Sequence, residues 1–435
     1  MTWPLSVPVA SWQLVTHPGS GPLLDWSLEV AVHMIEIEQA RHLVLERIHS
    51  LPSENVQLRA SLGRVLAEDV SSGEDVPAFD NSAMDGFAVC AAETRGAGHD
   101  SPVMLSVVDE SRAGHPATSG LESGQAIAIS TGGVIPTGAD AVIPLEQTTS
   151  SDGRVEILAE VQPGRYVRYA GADIRGGDMV LQRGVHLGAA ELGVLASVGR
   201  SAVACTRRPY VRILTSGDEL IEPDGAPCPG SVRNSNAYSI PALAQQAGAE
   251  VAGISVAPDD PDATMTAIAQ SLASDVTVIC GGVSVGAHDH VKQALGALGV
   301  EEIFWGIALK PGKPTWFGRH QGSLVFGLPG NPVSAMVTFM LFVRPALLAL
   351  SGARNERRRT TAWLDRDYEK SPGRAHALRC RLALREDGWH AQPAEKQGSH
   401  ILTSMLDADA LAIIPAASGS VRAGERVEIE LLPRG

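Results

Sequence analysis

Five cysteines in 435 residues, Cys90, Cys205, Cys228, Cys280 and Cys380, are odd in number, far apart and never in a CxxC pair. That scarcity argues against a disulfide framework and a structural zinc site, and suits the reducing cytoplasm. Positive charge is also short: 35 Lys and Arg face 49 Asp and Glu, a net charge of −14. A field of that sign repels polyphosphate duplexes and anionic lipid, so neither nucleic acid nor membrane is expected as a partner. Long apolar runs are missing too. The longest, Ala335 to Leu350, is interrupted by Arg344 and Pro345 and falls short of the roughly 18 residues of a spanning helix. Residues 1–33 lack a basic start and a cleavage-like site, so they read as a flexible extension rather than a signal peptide. There is no internal repeat or low-complexity tract.

Apolar residues at 44% and charged ones at 19% describe a globular chain, and its length calls for several domains. Ile35, Ala40, Leu43, Val44 and Ile48 recur at helical spacing, and Pro52 follows as a stop. From Val70 to about Ala204 short β-rich runs such as Gln125 to Ser130 and Ala141 to Leu145 are punctuated by Gly, Pro and Asp. After Arg208 apolar runs alternate with helical patterns, which predicts a mostly parallel sheet covered by helices on both faces. The strands are expected at 210–215, 251–257, 276–280, near 303–308 and at 323–326, with a long helix from Pro332. Beyond the basic stretch 354–359 alternating strands predict a small C-terminal β domain. The fold class is multidomain α/β, with a three-layer α/β domain flanked by β-rich domains.

In an open α/β sheet ligands bind beyond the carboxyl ends of the strands. The segments there are Ser216-Gly217-Asp218-Glu219, Pro258-Asp259-Asp260, Gly281-Gly282-Val283-Ser284-Val285-Gly286, Lys310-Pro311-Gly312-Lys313-Pro314 and Gly327-Leu328-Pro329-Gly330-Asn331-Pro332. Glycine allows close backbone approach, and Pro332 at a helix start leaves neighbouring N–H groups free for an anion. These loops read as a phosphate cradle; singly, each also reads as a turn that ends a strand. Glu219, Asp259 and Asp289 lie in or beside them and suit Mg²⁺ bridged to a phosphate, although each Asp also fits a helix cap.

Gly282-Val283-Ser284-Val285-Gly286 also matches the G-x-S-x-G nucleophile elbow, which keeps a serine hydrolase using Ser284 as an alternative. None of His320, His376, His390 and His400 stands in a context that marks it as the general base. Three further loops, 77–88, 130–133 and 169–173, carry Asp, Asn, Ser and Thr, and their composition alone indicates turns.

Taken together, DNSAMDGFA at 80–88, STG at 130–132, GAD at 171–173, SGDEL at 216–220, PDDP at 258–261, GGVSVG with Asp289, KPGKP at 310–314, GLPGNPVSA at 327–335 and QGSH at 397–400 resemble the motif set of the molybdopterin molybdenumtransferases, a family that includes the gephyrin E domain. The resemblance runs in order from about residue 34 to 435. It implies an elongated homodimer of four-domain subunits: domain I from 34–75 and 169–204, domain II from 76–168, a molybdopterin-binding domain III from 205–352 and domain IV from 353–435. It further implies a cleft between domain III of one subunit and domain II of its partner.

Carried over by position, the resemblance implies catalytic roles for Asp85, Thr131, Asp173, Lys310, Lys313, Arg379 and Ser399. Cofactor contacts fall to Ser216, Gly217, Asp218, Gly281, Gly282, Ser284, Gly286, Pro329, Gly330, Asn331 and Ser334, and Mg²⁺ to Glu219, Asp259 and Asp289. The implied reaction is insertion of molybdate into adenylyl-molybdopterin with release of AMP. Molybdopterin adenylyltransferase and molybdoenzyme apoproteins are the partners implied on either side of it. The nearest enzymatic alternative is the adenylylation itself; from another class comes a scaffold that has lost catalysis. One departure stands out: several relatives have Lys where this chain has Gly306.

Overall fold

Val276–Cys280 and Ser323–Leu328 are apolar runs without alternation, and every residue in both is buried, as strands covered on two faces require. The computed structural model describes residues 34–283, 290–354 and 359–433. Among them these strands lie in a six-stranded sheet ordered Glu250–Ala257, Tyr210–Ser216, Val276–Cys280, Ser323–Leu328, Trp316–His320, Glu301–Trp305. The first four strands are parallel, and Trp316–His320 runs antiparallel to both of its neighbours. Trp316–His320 is a strand that the sequence reading passed over. Asn236–Gln246 and the helical stretch from Pro332 pack on one face, where Ile240, Ala244, Val333 and Phe339 meet Val211, Val276 and Phe326. Pro261–Ser271 and His290–Ala297 cover the other, through Ile268, Val291 and Leu295 on Leu214, Ile279 and Val325.

The helix from Pro332 corrects an expectation. It runs through Arg344 and Pro345 to Leu350 as Pro332–Thr338, a π-turn at Phe339–Val343 and Arg344–Leu350. The proline is tolerated because it falls in the first turn after the π segment. By length and composition the whole stretch could cross a membrane, but most of it is buried in the α/β core.

The opening helix, Ile37–Leu45, also lies elsewhere than expected. Its buried face of Ile37, Ala40 and Val44 joins the α/β core with Phe342, Val343 and Leu347, and not the β segments that follow it in sequence. Amphipathic spacing fixes which face is buried and leaves the partner open. Next, Ser53–Gln57 pairs with Ala202–Thr206 and Val70–Ser71 with Met179–Leu181, around Val56, Leu66, Leu187, Leu195 and Val203. Between these two chain segments sits a six-stranded sheet in the order Ala141–Pro144, Gly86–Val89, Gln125–Ile129, Val103–Ser111, Arg154–Ile157, Thr148–Ser151.

The last strands close on themselves. Ala375–Arg385 pairs with Gly388–Pro393, then come Arg359–Leu364, Arg426–Leu431 and Ala410–Ile414, which returns to Ala375–Arg385. Closure of this small barrel removes most free strand edges. Arg41 couples it to the α/β body: Nε donates to the Leu341 carbonyl at 2.9 Å, Nη1 to Glu38 Oε1 at 3.0 Å, and Nη2 to Glu430 of the barrel.

Candidate functional site

A cavity of about 620 Å³ opens beyond the carboxyl ends of the parallel strands. Of the expected ligand-contacting residues, Ser216, Gly217, Gly281, Gly282, Pro329, Gly330 and Asn331 line it, together with the carboxylates Glu219 and Asp259. Backbone geometry requires two of the glycines. At Gly217, φ is +144° and a Cβ would stand 2.3 Å from Glu219 Oε2. At Gly281, φ is +94° and a Cβ would stand 2.8 Å from the Ser216 carbonyl oxygen. Backbone and carboxylate can therefore approach closely here, and a side chain would obstruct them.

Asp218 does not line the cavity but fixes a residue that does. The N–H of Asp259 donates to Asp218 Oδ1 at 2.9 Å, and that of Asp218 to Asp259 Oδ2 at 3.4 Å. Ser216 Oγ donates to Asp259 Oδ1 at 3.4 Å. Ser334 lies buried in the helix behind Pro332, and its carbonyl accepts a hydrogen bond from the Thr338 hydroxyl. It braces the wall and is no cavity contact.

Arg233, Asn234, Ser235 and Asn236 also line the cavity, and the sequence reading missed them. Their signal was the Asn-Ser-Asn run before a helical pattern, which reads as capping. Asn234 does cap: its Oδ1 accepts the Ala237 N–H at 3.2 Å, and its Nδ2 donates to Thr215 Oγ1 at 2.8 Å. Asn236 differs. Its Nδ2 donates to the Gly330 carbonyl at 2.8 Å, while its buried Oδ1 has no partner among the described residues.

Ser284, Gly286 and Asp289 lie outside the described residues. Among the described residues no group of three or more His, Cys, Asp or Glu is placed to hold a metal alone. Glu219 and Asp259 still suit Mg²⁺, because this ion usually takes one or two protein carboxylates and completes its shell with phosphate oxygens and water.

The KPGKP segment departs from expectation. Its strand neighbour is not in the parallel part of the sheet, and Leu309–Lys310 pairs with Ala375–His376 of the barrel. Pro314 lines the cavity; Lys310 and Lys313, both exposed, do not. Burial first, then the charges of Lys310, Lys370 and Arg374, push the His376 imidazole down to about 4. His376 Nδ1 lies 2.8 Å from the Tyr368 hydroxyl, and no carboxylate among the described residues bonds it.

Arg379 is 1% exposed, and among the described residues no carboxylate bonds its guanidinium. Its guanidinium donates to Ser404 Oγ at 3.2 Å and to the Gly398 carbonyl at 3.3 Å, and burial lowers its pKa. The Ser399 carbonyl accepts the Val333 N–H at 3.3 Å, which docks this barrel loop on the helix start at the cavity. Neither residue lines the cavity itself.

The three remaining loops are joined to one another. Asp85 Oδ1 accepts the Thr131 N–H at 2.7 Å, Asp80 Oδ1 accepts the Ala170 N–H at 2.8 Å, and the Asp173 N–H donates to the Val76 carbonyl at 3.0 Å. Asp85, Thr131 and Asp173 are all exposed, and no residue from 76–173 lines the cavity of the same chain.

Three family descriptions match successive parts of the sequence: "MoeA N-terminal region (domain I and II)" residues 35–199, "Probable molybdopterin binding domain" residues 212–349 and "MoeA C-terminal region (domain IV)" residues 361–432. The molybdopterin molybdenumtransferase of Haemophilus influenzae is 35% identical over 91% of this chain and 98% of its own length. That of Nostoc sp. is 34% identical over 92% of this chain and 94% of its own. The crystal structure of the molybdopterin biosynthesis MoeA protein of Pyrococcus horikoshii superposes with a TM-score of 0.76 at 34% identity, covering 92% of this chain and 99% of that one. With every domain matched in order and relatives above 30% identity along nearly their full length, the chain belongs to the molybdopterin molybdenumtransferase, or MoeA, family.

Proposed function

We propose that this protein is a transferase that inserts molybdenum from molybdate into adenylyl-molybdopterin, with release of AMP, in the cytoplasm. The observation that carries the reading is the glycine-walled cavity lined by Glu219 and Asp259, in a chain that aligns almost end to end with relatives named for this activity. The glycine loop after Cys280 and the Gly330-Asn331 turn before the helix at Pro332 line the cavity, where their backbone can approach the phosphate of the ligand closely. Glu219 and Asp259 would hold Mg²⁺ beside that phosphate, with Asp289 as the third carboxylate, and the ion when bound would offset phosphate charge. Asp218 and Ser216 keep Asp259 aimed, and Asn234 holds the helix that forms the far wall. Positioning and electrostatics carry such a reaction, and no protein nucleophile is needed.

The active unit is a homodimer in which the partner subunit's Asp85, the partner subunit's Thr131 and the partner subunit's Asp173 complete the cleft. Supporting this, the three loops form one bonded, exposed surface that never reaches the cavity of its own chain. Lys310 and Lys313 would compensate molybdate charge, while buried Arg379 holds the 398–404 loop of the barrel, whose Ser399 docks on the helix start at the cavity. Molybdopterin adenylyltransferase would supply the substrate, and molybdoenzyme apoproteins would take the product.

The test is to incubate the purified protein with adenylyl-molybdopterin, Mg²⁺ and molybdate. AMP release and activation of a molybdenum-free apoenzyme should both depend on molybdate. ATP-dependent adenylylation of molybdopterin, or ester hydrolysis without any molybdate effect, would overturn the reading.

A further inference from the structure

Gly281 and Gly282 form one wall of the cavity, with φ of +94° and +67°. Two consecutive glycines are the most permissive backbone a chain can carry, so this wall does not hold its shape by itself. Its shape is set at its two ends. At the first, the Gly281 N–H donates to the Leu328 carbonyl at 3.0 Å. At the second stands Val283, 3% exposed, whose side chain fills the space beside Gly327: a Cβ on that glycine would lie 2.5 Å from Val283 Cγ1. The Val283 carbonyl accepts the indole N–H of Trp305 at 3.0 Å.

Trp305 does not line the cavity. It ends the edge strand Glu301–Trp305, and its half-buried ring packs on the cluster that includes Val283, Val291 and Trp316. The Lys292 ammonium stands 4.2 Å from the ring centroid and pairs with Glu302 at 3.3 Å. Glu302 also accepts the Trp316 indole N–H at 2.7 Å. Lys292 belongs to the helix His290–Ala297, so a single indole braces both the wall after Cys280 and the helix that comes next in the chain. We propose that Trp305 is a positioning residue for the reaction: through Val283 it holds the wall of Gly281 and Gly282 in its ligand-receiving shape before the ligand arrives. Ordering a loose glycine wall on binding would cost affinity, and a wall fixed beforehand avoids that cost. This rests on the function proposed above and adds to it a residue that acts from outside the cavity.

Trp305→Phe removes the N–H and keeps an aromatic ring in the strand. Calorimetric titration of the full-length protein with AMP and Mg²⁺ should show binding about fivefold weaker than in the wild type, the size of one hydrogen bond. The KM for adenylyl-molybdopterin should rise by the same factor, with kcat within about twofold of the wild type. Trp363→Phe is the control. It removes an indole N–H that donates to the Asp387 carbonyl at 3.2 Å in the barrel, outside the cavity lining, and should leave AMP affinity unchanged whatever its effect on Tm. If Trp305→Phe does not fold, Lys292→Met, at a partly exposed position, should loosen the ring and weaken AMP binding, while Lys292→Arg, which keeps a cation over the ring, should not. Wild-type AMP affinity in Trp305→Phe, or in Lys292→Met where it stands in, or an equal loss in Trp363→Phe, overturns the assignment to Trp305 and leaves the proposed function standing. Absence of AMP binding by the wild type overturns both.

Discussion

Asp85 Oδ1 and the backbone N–H of Thr131 stand 2.7 Å apart, joining loops 46 positions apart in the sequence. The bond holds an exposed carboxylate and an exposed threonine as one surface. Removing the carboxylate leaves an N–H that water can satisfy, so stability should barely change. Asp85→Ala is expected to lower Tm by no more than a few degrees. Molybdate-dependent AMP release should fall by about tenfold or more. A variant that releases AMP at the wild-type rate would remove this loop from the proposed cleft.

Glu219 and Asp259 are mounted differently. Asp259 is held by Ser216 and Asp218, whereas Glu219 folds over Gly217. Glu219→Gln and Asp259→Asn should each raise the Mg²⁺ concentration for half-maximal AMP release by about tenfold. The double variant should show less than the product of the two effects, since both side chains would serve one ion. Unchanged Mg²⁺ dependence in both single variants would argue that the ion is held elsewhere.

Two glycine substitutions separate crowding from backbone strain. A Cβ on Gly86 would lie 1.9 Å from the Ile143 carbonyl oxygen, inside a paired strand. A Cβ on Gly153 meets nothing, although φ there is +73°. Gly86→Ala is expected to cost about 3 kcal/mol and Gly153→Ala about 1 kcal/mol in urea denaturation. Equal costs would mean that the strand containing Gly86 can slide away from its neighbour.

The pH dependence of stability should carry a signature of His376. Its folded-state value, about 4, lies below the ordinary 6.5, so the unfolded chain takes up the proton first as pH falls. The stability from keeping this ring neutral is complete above pH 6.5 and is lost on the way down to pH 4, at most about 3 kcal/mol. Comparing Tm at pH 7 and pH 4.5, His376→Gln should lose less than the wild type. An identical loss would show that His376 is protonated without penalty in the folded barrel.

What could be read from the sequence was what repeats locally. The buried run Val276–Cys280 and the loop after it announced both a central strand and a ligand edge, and the cavity lies there. Trp316–His320 escaped because Gly318 and the polar Arg319 and His320 break its pattern; the Trp316 ring fills the space where a Gly318 side chain would be. Asn236 escaped because capping explains an asparagine at a helix start, and only the third dimension separates the satisfied Asn234 from the half-satisfied Asn236. The docking of Ile37–Leu45 and the pairing of Lys310 with His376 of the barrel depend on partners far away in the sequence, about which periodicity carries no information. Gly306 makes the complementary case: at φ +89° its backbone suits glycine, so a lysine placed there in this chain would sit on a strained residue.

The pairing of Ser53–Gln57 with Ala202–Thr206 has a consequence for the order of events at the ribosome. The six-stranded sheet between them is complete in sequence by Ile157, so it can form while its flanking strand from 53–57 still waits for a partner not yet synthesised. A chain emerging from its N-terminus can therefore build this module first, close the split domain around it some fifty residues later, and dock the opening helix only when residues near 340 have left the tunnel, before the barrel that Arg41 also reaches.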